Sequence, residues 1–186
     1  MKNLLTNKKS LLILFVLIFL VVVWILLKPG RQEVAPTPST PAVNSWGSLL
    51  PGASVFEDVN EQLGEPVKQK DDMYEYTSRN PNINNEVLFE NKVAVLIKRI
   101  TVIEDNIQAK VLFSQYGSDY TTLYSDRSTG GDNLYVYLSK GLAFIGNPID
   151  NSVLEIWYFK PVSAIEEFIS KYAPGFTTDF SDIHTF

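Results

Sequence analysis

The sequence predicts an α+β protein: two tandem repeats of a helix packed on a three-stranded antiparallel sheet, plus a C-terminal helix, after an N-terminal transmembrane helix. Three observations predict this. Residues 11–27 are an unbroken apolar run, the remainder alternates between helical and strand periodicity, and elements of its first half recur 60–61 positions later. The chain divides accordingly into a cytoplasmic N-terminus (1–10), an anchor (11–27), a proline-rich linker (28–45), two repeats (46–103 and 104–160), and a C-terminal helix with its tail (161–186).

The anchor comes first. Its 17 residues carry no charge, Gly or Pro, and at about 1.5 Å per residue they cover roughly 25 Å, enough to cross a bilayer core. Lys2, Lys8 and Lys9 precede it and Lys28 and Arg31 follow. With the terminal amine, the N-terminal side is the more positive, so the larger C-terminal part is expected outside the cytoplasm. A cleaved signal peptide is the competing reading, but its apolar region usually spans about 7–15 residues, and no small-x-small pair closely follows this run. Pro29, Pro36, Pro38 and Pro41 then mark a short extended stalk.

The repeat rests on ordered correspondences. Ser54 and Glu57 form a capping box, Phe56, Val59 and Leu63 share a helical face, and Gly64 and Pro66 stop the helix. Strands follow at 73–78, 86–90 and 93–103, the last two joined by a tight turn at Glu90-Asn91-Lys92. In the second half a helix at about 106–116 precedes strands at 133–139 and 141–146 and the run from Val153 to Phe159. Tyr135-x-Tyr137 answers Tyr74-x-Tyr76, and Asp150-Asn151-Ser152-Val153 answers Glu90-Asn91-Lys92-Val93. A closing helix starts at a second capping box, Ser163 with Glu166, and carries Ile165, Phe168, Ile169 and Tyr172 on one stripe.

Pro51-Gly52, the capped helix, Leu63-Gly64-Glu65-Pro66, Tyr74-x-Tyr76 and the strand through Val93 and Ile97 together resemble the SmpA/OmlA (BamE-like) family over about 50 residues. Two such units in tandem resemble β-lactamase inhibitory protein in arrangement. The resemblance implies a non-enzymatic cell-envelope domain that works by protein contact. The family is lipid-anchored through a cysteine, whereas here the anchor is a transmembrane helix.

Composition narrows the chemistry. Cysteine is absent, which excludes disulfides, thiolate metal sites and a cysteine nucleophile. Residues 43–186 hold 11 Lys and Arg against 20 Asp and Glu, a net of −9, which repels phosphate backbones and excludes nucleic acid as a partner. His184 stands alone near the C-terminus, without the companions a metal site or triad needs. The loop 125–133 is acidic and glycine-bearing, but Arg127 and Thr129 interrupt any calcium-ligand pattern. No catalytic, cofactor or metal residues are therefore assigned.

The aromatics carry the binding expectation. Tyr74, Tyr76, Tyr135 and Tyr137 alternate along two strands, so each pair shares a sheet face, and Trp157 lies on a third strand. Covered by helices they form core; left open they form a contact surface. The expected function is a membrane-anchored, non-enzymatic envelope module at the cytoplasmic membrane that binds another envelope protein. The alternatives are an extracytoplasmic sensor of small molecules or peptidoglycan fragments, or an inhibitor of an exported enzyme.

Overall fold

The computed structural model describes residues 44–180, all within one compact unit. The expected anchor at 11–27, the linker as far as residue 43, and His184 lie outside them. Among the described residues no helix is long and apolar enough to cross a membrane.

The element order is α1 (Phe56–Leu63), β1 (Lys68–Lys70), β2 (Met73–Tyr76), β3 (Asn85–Glu90), β4 (Val93–Ile100), α2 (Ala109–Tyr116), β5 (Thr121–Leu123), β6 (Asn133–Tyr137), β7 (Leu142–Gly146), β8 (Val153–Phe159) and α3 (Ile165–Tyr172). Short 3-10 turns lie at Ile103–Asp105, Asp126–Gly130 and Leu138–Lys140.

All eight strands form one antiparallel sheet in the order β1-β2-β3-β4-β8-β7-β6-β5. This corrects the expectation of two repeats, each with its own three-stranded sheet. The cause lies in β4 and β8. Val95, Leu96 and Ile97 are buried in succession, as are Ile156, Trp157, Tyr158 and Phe159. Strands apolar on both faces belong inside a sheet rather than at its edge. They pair with each other at its centre, Ile97 opposite Tyr158 and Lys98 opposite Trp157. The outermost strands, β1 and β5, are three-residue pieces that carry too little alternation to read from sequence. Exposed Lys68 and Lys70 give β1 a charged edge that discourages pairing with other chains.

Helices cover the two faces unequally. On one face Val59 of α1 and Ala109 and Leu112 of α2 join Tyr76, Val87, Ile97, Tyr137, Phe144 and Tyr158. On the other, Phe168 and Tyr172 of α3 pack on Leu134, Val136, Ala143, Trp157 and Phe159. α3 thus seals the β6-β7-β8 side, while Glu86 and Leu88 of β3 and Lys98 of β4 stay half-buried.

α1 and α3 each start a residue later than expected, so the Ser54–Glu57 and Ser163–Glu166 capping boxes do not form. At α1, Asp58 accepts the Val55 N–H at 2.9 Å, while the Ser54 hydroxyl accepts the Leu50 N–H at 2.9 Å. At α3, Glu167 rather than Glu166 lies near the Ser163 N–H, at 3.4 Å. The β3–β4 turn forms where expected, with Asn91 at φ +51° and Lys92 at φ +65°, the left-handed pair that a two-residue hairpin requires.

Candidate functional site

The aromatics singled out in the sequence are mostly core. Tyr76, Tyr135, Tyr137 and Trp157 are buried, and Tyr74 is half-buried. α1 and α2 lie over the tyrosines, and the rings lock together: Tyr74 meets Phe56 and Phe89 at 5.2 Å, and Tyr135 meets Phe113 at 4.8 Å. Tyr76 donates to Asn60 and Tyr137 to the Gly117 carbonyl, both at 2.9 Å, so each buried hydroxyl is satisfied.

Burial pushes the Tyr76 and Tyr137 hydroxyls up to about 12, from an ordinary value of 10.0. A phenol with a raised folded-state pKa holds its proton more tightly when folded. Its stabilising contribution is therefore intact below pH 10 and is lost as the pH climbs to about 12. Tyr137→Phe is expected to cost about 1 kcal/mol at neutral pH for the lost hydrogen bond, and to flatten the alkaline fall in melting temperature. An alkaline slope equal to that of the parent would show that Tyr137 does not drive it.

The exposed feature lies at the end of the sheet where β4 leaves and β8 enters. Three loops are cross-braced there. Thr101 donates its N–H to Leu154 at 3.0 Å and its hydroxyl to Val153, and Ala109 donates to Asn151 at 3.0 Å. Asp105 holds Arg79, Arg99 at 3.0 Å and the Val102 N–H at 3.3 Å. The Ser152 N–H bonds the Asp150 carboxylate at 2.8 Å and holds its pKa below the ordinary range, while Ile149 donates to the Asn147 side chain at 3.0 Å.

These braces hold two isoleucines away from the core: Ile103 is 94% exposed and Ile149 is 85% exposed. Ile103 and Leu154, itself 39% exposed, line an open groove of about 820 Å³. Arg79, Glu104, Lys110 and Asp150 also line it. Exposed aliphatics within a rim of both charge signs have the chemistry of a protein contact rather than of a catalytic pocket.

Sequence reasoning missed this surface. The available signal was a β-branched residue set among turn formers, in Ile103-Glu104-Asp105-Asn106 and in Asn147-Pro148-Ile149-Asp150-Asn151. Ile103 closes the strand expected at 93–103, but β4 stops at Ile100 and Ile103 opens a 3-10 turn, while Ile149 lies in the loop between β7 and β8.

A second cavity, of about 420 Å³, opens on the α3 face. Glu86, Lys98, Glu155 and Trp157 reach it from the sheet, Ser125 and Asp126 from the 3-10 turn after β5, and Phe176 from the segment after α3. That segment is pinned by paired backbone hydrogen bonds between Tyr124 and Thr177, at 2.8 and 2.9 Å. Loop 125–133 is folded inward here: Ser128 is buried, and Asn147 donates to the Gly130 carbonyl at 3.0 Å.

No protein-family model matches the chain, and no curated protein does. Among solved structures the chain is similar to the crystal structure of a DUF4309 family protein, YjgB, from Bacillus subtilis. Sequence identity is 18%, the match covers 61% of this chain and 84% of that one, and the TM-score is 0.44. The resemblance to the SmpA/OmlA family and to a tandem arrangement of its units is corrected by these findings. No such family model matches, and the strands assigned to two units form one continuous eight-stranded sheet.

Proposed function

We propose that this protein is a non-enzymatic binding module, carried on the membrane anchor at 11–27, that docks a partner protein of the cell envelope through the loop-end groove. The observation that carries this reading is the near-complete exposure of Ile103 and Ile149 on cross-braced loops beside that groove. Leaving two such side chains in water forgoes about 1.5–3 kcal/mol of burial each. A partner that covers them recovers it, and because the loops are braced beforehand, little ordering entropy opposes binding.

The test is site-specific photo-crosslinking in intact cells, with a photoreactive residue at position 103 or 149 and a control at position 166 on exposed α3. Discrete protein adducts from 103 and 149, absent from 166, are expected. Adducts equally frequent at all three positions, or at none, would overturn the reading.

A further inference from the structure

The α3-face cavity is a different surface with different chemistry. Among its lining residues Glu86, Asp126 and Glu155 are acidic and Lys98 is basic, so three carboxylates face one ammonium group. Lys98 Nζ lies 2.9 Å from a Glu86 carboxylate oxygen and 4.5 Å from the centre of the Trp157 ring. The indole is held in place by three neighbours. Phe168 stacks on it at 6.4 Å, Phe176 meets it edge-on at 6.0 Å, and Nε1–H donates to Glu155 at 2.8 Å.

This pairing of a carboxylate with an aromatic face is the recognition chemistry for an organic cation. Here it already holds the tip of one alkylammonium side chain. The carboxylates do not converge as metal ligands: among the described residues no group of three or more acidic, His or Cys side chains is placed to hold a metal ion. An anionic ligand would enter against net negative charge concentrated by apolar walls. The volume of about 420 Å³ suits a small molecule or a single side chain.

We propose that this cavity binds alkylammonium groups, with Lys98 as the resident cation that an incoming ammonium displaces from Glu86 and Trp157. The ligand's amine would sit between the Glu86 carboxylate and the indole, and its hydrocarbon body would run over Ile100, Ile145 and Phe176. Displaced Lys98 swings toward solvent, which its flexible stem permits. A free polyamine and a lysine side chain of a protein share this chemistry.

The experiment is calorimetric titration of the full-length chain in detergent with spermidine, with a capped lysine peptide, and with that peptide acetylated on its side chain. At least one of the first two is expected to bind, the acetylated peptide is not, and whichever binds identifies the source of the amine. Glu86→Gln is expected to weaken binding about tenfold, since it removes the charge-assisted contact. Lys98→Met, which removes the resident cation and leaves a flexible stem of similar bulk, is expected to tighten binding about tenfold. Asp126→Asn, on the exposed 3-10 turn, supplies a weakening variant that does not depend on either core-facing substitution folding. Ile103→Asp is expected to leave this affinity unchanged, which separates the cavity from the loop-end groove. Binding of neither amine, or affinities equal to the parent's in Glu86→Gln, Asp126→Asn and Lys98→Met, overturns the proposal.

Discussion

Phe159→Ala is expected to lower the unfolding free energy by about 3–5 kcal/mol, the range for removing a fully buried phenylalanine without repacking. Phe159 is inaccessible to solvent at the C-terminal end of β8. Its ring meets Phe168 edge-to-face at 4.8 Å and Tyr172 at 5.7 Å, and these are the two residues that α3 buries. The substitution therefore opens a cavity under the short helix that closes this face. Eight residues of α3 cannot hold a helix without such packing. Trp157 stacks on Phe168, so its fluorescence should change in the native baseline as well as in the transition. Urea unfolding monitored at that emission measures both effects. A loss below about 1 kcal/mol would mean that α3 is held by something other than this aromatic contact.

Gly141→Ala is expected to cost about 3 kcal/mol or more, although it adds a single methyl group. Gly141 sits at φ +60° where the 3-10 turn Leu138–Lys140 hands over to β7. Its backbone runs against β8, accepting the Phe159 N–H at 2.9 Å. A Cβ here would be driven into the Phe159 carbonyl oxygen and would come within 3.0 Å of Asn44 Cβ. Backbone cannot swing aside as the end of a side chain can, so the β7–β8 pairing itself must shift. Gly175→Ala supplies the control. Gly175 has φ +96° inside the turn closed by the Phe176 N–H on the Ala173 carbonyl but nothing within 4 Å of the added methyl, so only the positive-φ strain of about 1–2 kcal/mol applies. Equal melting-temperature losses for the two variants would contradict the collision and leave backbone conformation as the whole effect.

Periodicity revealed the local elements but not how they join. The β3–β4 hairpin was readable because Asn91 tolerates positive φ between two apolar runs, and α1 and α3 because Phe56, Val59 and Leu63, and Phe168 and Tyr172, recur at helical spacing. The single sheet was not readable. Trp157, Tyr158 and Phe159 are adjacent in one strand and cannot share a face, which from sequence alone calls for an exposed ring. The structure buries all three, because β8 is a central strand with helices on both sides. The same covering turns the alternating tyrosines into core, a fate that depends on where α1 and α2 land rather than on β2 or β6. The loop-end groove was hidden for the converse reason. Its most exposed apolar residue, Ile103, and the neighbouring Ile149 lie outside the strands and α-helices, and the braces among Asp105, Thr101 and Asn151 bring three distant stretches of chain together.

Protein contact at that groove is tested most directly by the full-length Ile103→Asp/Ile149→Asp double variant, comparing partner capture in cells with melting temperature. Both side chains are exposed, so the substitutions should change stability by no more than about 0.5 kcal/mol. The expected result is an unchanged melting temperature with loss of the adducts that a photoreactive residue at position 154 gives in the parent chain. Undiminished capture from a folded double variant would contradict docking at the groove.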